Sequence, residues 1–207
     1  MQPNTGSGSV VMVTNLTEFF RGALRGALAD QRTAVDEQTE HYVVNMLTVF
    51  ARSECLYEST PDGLRLKPLA QMLSEALDAA TAAERESALQ RLGDISLFMA
   101  GLFARGFARR LVDVDYHVAM GGRAYDALAS SLERGRRRGL AQVFAELASK
   151  FQPLVDALGE ISDSAHTYTQ RDILRLYEIW LKTGSVRARR LLRRLGVDAA
   201  PVALRTH

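Results

Sequence analysis

From Leu140 to Ile161, seven apolar residues (Leu140, Phe144, Leu147, Phe151, Leu154, Leu158 and Ile161) follow one another in alternating steps of four and three. That spacing lines them up on one face of an α-helix. A strand, which repeats every two residues, has no use for it. Pro153 stands inside the stripe. Proline has no amide hydrogen and its ring collides with the preceding turn, so a kink or a break just before residue 153 is expected.

The same period governs most of the chain. A first helix starts at Leu16, with Phe20, Ala23, Leu24, Ala27 and Leu28 on one stripe. A second is expected from about Asp36 to Tyr57 through Val43, Met46, Leu47 and Phe50, and a third from Pro68 to about Ala80. The fourth, from about Ala83, is apolar almost all round between Ile95 and Ala104, which marks a helix covered on several sides. A fifth runs from about Val112 to Leu132, and two more follow the Pro153 segment, at about Thr169–Lys182 and Val186–Leu195. The stretch Glu58–Gly63 reads as a turn around Pro61, and nothing alternates with period two for long enough to make a strand. The expected fold is all-α: a compact domain of seven or eight helices, kinked around Pro153, with a basic C-terminal helical pair. Residues 1–15 read as a flexible arm, 16–166 as the main helical domain, and 167–207 as a basic extension packed on it.

Composition narrows the class. A chain of 207 residues suits one domain, its 47% hydrophobic content excludes disorder, and a single cysteine excludes a disulfide scaffold. The apolar runs reach about half the length of a bilayer span, and no secretory leader is visible, so a cytoplasmic protein is expected. The net charge of +2 conceals a split: residues 1–133 carry −5 and residues 134–207 carry +7, with 23 Arg to 3 Lys overall. Such a division speaks to partners and self-association rather than to fold.

Chemical motifs are sparse. His41 and His117 each have a carboxylate one turn earlier, Glu37 and Asp113. Residues four apart share a helix face, so two such helices brought together, with Glu54 and Asp94 nearby, would supply ligands for a metal ion or a haem. The di-iron pattern of two Glu-x-x-His repeats is missing, and ordinary ion pairs explain the same spacing. Glu54 falls on an apolar stripe and needs a partner or a proton if buried. Phe98, Tyr116, Met120, Arg123 and Tyr125 belong to the densest mixture of glycine, aromatic and polar residues, where a ligand pocket would be sought; close helix packing is the simpler account. Cys55 has no second thiol and reads as a small core residue. Walker loops, nucleophile elbows and paired Cys-x-x-Cys motifs are missing, which favours a non-enzymatic protein and no preferred cofactor.

Two arginine clusters remain: Arg134, Arg136, Arg137 and Arg138 in a linker, and Arg187, Arg189, Arg190, Arg193 and Arg194 around a short amphipathic helix. A solvated charged face is the plain reading. The preferred function is a helical adaptor or regulatory protein acting through association with itself or another protein, with these arginines as its interaction surface. A metal- or haem-binding protein using His41 and His117, an oxidoreductase for instance, is the first alternative. A weak binder of nucleic-acid phosphates, with residues 169–195 as a helix-turn-helix, is the second.

Overall fold

A computed structural model describes residues 16–51, 56, 58–60, 63–103, 114–163 and 170–197. The chain is all-α. Its helices are α1 (Leu16–Asp30), α2 (Glu37–Phe50), α3 (Leu69–Asp78), α4 (Ala82–Leu102), α5 (Val114–Arg134), α6 (Arg138–Ser149), α7 (Phe151–Asp163), α8 (Gln170–Thr183) and α9 (Val186–Arg194). These are nine among the described residues, because the stripe from Leu140 to Ile161 is divided. The helix breaks at Lys150, and Pro153 sits in the first turn of α7, where a missing amide hydrogen costs little.

Two departures from the sequence reading are small and physical. The stretch read as a turn opens into a two-stranded antiparallel hairpin, β1 (Glu58–Thr60) and β2 (Gly63–Arg65), with Ser59 opposite Leu64. Three-residue strands are too short for a period to be visible in sequence. The second helix ends at Phe50 rather than Tyr57, and Leu56 packs into the core after that end.

Local chemistry fixes the helix starts. Asp36 caps α2 by accepting from the Gln38 amide at 2.8 Å. Its own amide donates to the Glu146 carboxylate, 3.1 and 3.2 Å from the two oxygens, which ties α2 to α6. Thr81 and Glu84 form a reciprocal capping box at the start of α4.

α4 is the central helix, wedged among α3, α5 and α7. Its glycines set how close the neighbours come. A β-carbon on Gly93 would run into the Tyr125 ring, and one on Gly101 into the Leu158 side chain. Around this axis Leu24, Leu47, Leu92, Ile95, Leu128, Phe144, Leu154 and Leu158 are sealed from solvent. α8 and α9 bury a separate small cluster of Leu176, Ala188 and Leu192, and Ile179 packs against both clusters.

Candidate functional site: the α8–α9 cap and the groove beneath it

The cap is seated on α7 by polar groups. Gly184, at φ +68°, ends α8, and Ser185 starts α9 by accepting from the Ala188 amide at 3.0 Å. The same Ser185 hydroxyl donates to Oδ1 of Asp156 at 2.6 Å, and the Arg187 amide donates to Oδ2 at 3.1 Å. Gln152 donates to Asp156 as well, at 2.8 Å. Asp156 is only 3% exposed. A buried carboxylate is tolerated there because it faces free amides at a helix N-terminus, where the backbone dipoles favour negative charge.

Arginines complete the seat. The Arg187 guanidinium is buried and lies across Gly159, a residue whose missing side chain makes room for it. One turn further, Arg190 donates to Glu160 of α7 at 2.9 Å and to the Asp30 carbonyl, in the last turn of α1, at 3.3 Å. Successive residues on a helix lie about 100° apart, so α9 divides into three faces. Ala188 and Leu192 are buried, Val186, Arg189 and Arg193 are exposed, and Arg187, Arg190, Leu191 and Arg194 look into a groove.

That groove runs between α1, α7 and α9 and encloses about 640 Å³. Phe19, Ala23 and Ala27 of α1, Ile161 of α7, and Leu191 and Leu195 of the α9 end form its apolar lining. Its charged lining is Asp30, Glu160, Arg187, Arg190 and Arg194.

The other sequence-selected residues are placed elsewhere. His41 is exposed on α2, Glu37 is exposed one turn before it, and His117 is buried on α5. Burial holds the His117 imidazole down at a pKa of about 4. Glu54 and Asp113 lie outside the described residues, as does Cys55. Among the described residues no three His, Cys, Asp or Glu side chains are grouped to hold a metal ion.

Asp94 instead joins two tyrosines. Tyr42 of α2 and Tyr125 of α5 both donate to its Oδ1, at 2.6 and 2.7 Å, and Gln90 donates to the Tyr42 hydroxyl at 3.0 Å. Desolvation pushes the Asp94 carboxyl up to about 6, against the two phenol hydrogen bonds and the charge of Arg91, which favour the ionised form. Burial and the neighbouring carboxylate raise both phenols well above their ordinary value. The network binds α2, α4 and α5 together. Of the residues selected as pocket-forming, Phe98 is buried against Phe50, and Tyr125 against Phe144 and Phe151. Arg123 and Tyr116 are exposed on α5, and Met120 is half-buried.

The two arginine clusters are not brought together. Arg137 pairs with Glu86 near the N-terminal end of α4. Arg187 lies over Gly159, beside the Leu158 that packs on Gly101 near the other end of that helix. Arg134, Arg136 and Arg138 are exposed at the α5–α6 turn, where Arg136 adopts a left-handed conformation at φ +60°. Asp156, Ser185 and Gly159 were not singled out from sequence. The available signals were a carboxylate between apolar neighbours at 154–158 and a serine directly before an arginine-rich helix.

No protein-family model, curated protein or solved structure matches this chain.

Proposed function

We propose that the protein is a non-enzymatic helical adaptor that acts by protein association, and that its first partner is a second copy of itself, joined head to tail. The outward face of α9 carries this reading. Val186 is 59% exposed and stands beside exposed Arg189 and Arg193, neither of which has a carboxylate within ion-pair distance among the described residues. An apolar side chain framed by uncommitted guanidinium groups suits an acidic surface with an apolar residue at its centre.

The body offers such a surface. Leu77, at the end of α3, is 66% exposed and is followed by exposed Asp78, with exposed Glu84 in the first turn of α4. Glu84 is about 200° around α4 from Glu86, so it points away from the Arg137 pair. The acidic corner lies at the N-terminal end of α4 and the cap rests near its C-terminal end. A helix of 21 residues is about 31 Å long. Two unlike patches so far apart favour a heterologous contact over a two-fold one.

Sedimentation of the full chain tests this. The wild type is expected to form species heavier than the monomer that dissociate as salt rises. Arg189→Ser/Arg193→Ser and Leu77→Ser/Asp78→Ser should each be monomeric alone and form a one-to-one dimer when mixed, because only the unaltered cap of one variant and the unaltered corner of the other remain complementary. A wild type that stays monomeric at low salt, or a mixture that does not associate, would sink the reading.

A further inference from the structure

The inner face of the cap presents a chemistry different from its outer one. The groove volume of about 640 Å³ falls in the range of small-ligand sites, roughly 300–1,000 Å³. Its apolar side is under-covered: Phe19 is 47% exposed and Leu195 36% exposed. An aromatic ring and a leucine at the mouth of a concave site gain by being covered with hydrocarbon.

Among the described residues the charged lining of the groove is three arginines, Arg187, Arg190 and Arg194, and two acidic residues, Asp30 and Glu160. Arg190 is committed to Glu160 and the Asp30 carbonyl, and Arg187 is buried over Gly159. Arg194 is exposed, and no carboxylate lies within ion-pair distance of it among the described residues. Guanidinium groups bind carboxylates and phosphates through paired hydrogen bonds, so Arg194 is suited to hold an anionic head. Asp30 and Glu160 stand close by and repel a second negative charge.

We infer that the α1–α7–α9 groove binds a monoanionic amphiphile, a carboxylate or phosphate diester, with its head on Arg194 and one alkyl chain along Phe19, Ala23, Ile161 and Leu191. Such a head is found both on free fatty acids and on phosphodiester lipids in a bilayer. The inference does not depend on head-to-tail association, since Arg189 and Arg193 lie outside the groove lining, on a different face of α9.

The test is calorimetric titration of the full chain with dodecanoate below its micelle concentration, beside sedimentation with phosphatidylglycerol vesicles. Saturable binding of one dodecanoate per chain is expected, at least tenfold weaker for Arg194→Glu and for uncharged dodecanol. Ala23→Phe, which fills the groove without changing charge, should abolish binding, whereas Arg189→Glu should leave it unchanged. Dodecanoate binding without vesicle association identifies a free amphiphile. Vesicle association that Arg194→Glu and Ala23→Phe both abolish identifies the bilayer lipid. The inference is overturned if neither probe binds, if dodecanol binds as well as dodecanoate, if Arg194→Glu and Ala23→Phe bind like the wild type, or if Arg189→Glu weakens binding as much as Arg194→Glu.

Discussion

In the body, Leu92, Ile95, Leu97, Tyr125, Phe144 and Leu158 are closed off by neighbours on several helices, and three glycines of α4 and α5 let those helices nearly touch. In the cap, among the described residues, Leu176, Ala188 and Leu192 are buried together, Ile179 packs on both cores, and polar bonds join Asp156 to Ser185 and Arg187 and Glu160 to Arg190. The body relies on close packing, which is unforgiving of volume. The seat of the cap adds charge-assisted hydrogen bonds, which are unforgiving of chemistry.

The largest effect expected from breaking this contrast is in the body. Gly101→Leu forces a side chain into Leu158 at the centre of the molecule. Overpacking of this kind costs about 1–3 kcal/mol even for small additions, so thermal unfolding should show a fall in Tm for the whole protein. A Tm within one degree of wild type would mean that the close approach of α4 and α7 is not a determinant of stability.

The next effect is local. Asp156→Ala removes the acceptor for Ser185 and for the Arg187 amide in a buried place, a loss of roughly 3 kcal/mol on the scale of buried charged partners. Hydrogen exchange should show residues 170–197 losing protection while α4 and α5 keep theirs. Uniform loss across the chain would show that cap and body unfold as one unit.

The smallest effect separates two buried titrating groups within the body. Asp94 is raised to about 6 from an ordinary value of 3.8, so the folded state holds its proton more tightly than the unfolded one. Its contribution to stability is full below about 4 and lost as pH climbs through about 6. His117 is lowered to about 4 from 6.5, so its contribution is full above about 6.5 and lost as pH falls towards 4. The two oppose each other in one window, so their net effect on the wild type is small. Relative to wild type, Asp94→Asn should gain stability as pH rises from 4 to 6.5, and His117→Gln should lose it. Parallel profiles for all three proteins in urea unfolding would contradict this assignment.

Much of the architecture was legible because helices announce themselves locally. The four-and-three spacing located the helical segments, and Pro153 marked where the longest stripe divides at Lys150. The hairpin at 58–65 was not legible, since three residues per strand show no period. The site was harder for a physical reason. Asp94 stood out as a polar residue, but its partners Tyr42 and Tyr125 are 52 and 31 residues away, and only tertiary packing pairs them. The groove is likewise assembled from α1, α7 and α9, and no local pattern in Phe19 or Ile161 foretells that they face Arg194. The arginines of the last helix looked equivalent in sequence. Their roles differ because of the face each occupies: Arg187 and Arg190 seat the cap, while Arg189 and Arg193 are exposed.

The seat at Asp156 also bears on how the chain assembles over time. α7 precedes α8 and α9, so during synthesis the body can form before its cap exists. Until α9 is made, Asp156 and Glu160 lack the partners that Ser185, the Arg187 amide and Arg190 later supply, so the surface that will lie under the cap is polar at those two positions. Arrival of α9 then gives each carboxyl group a fixed donor, and the last helix is docked by chemistry already in place on α7.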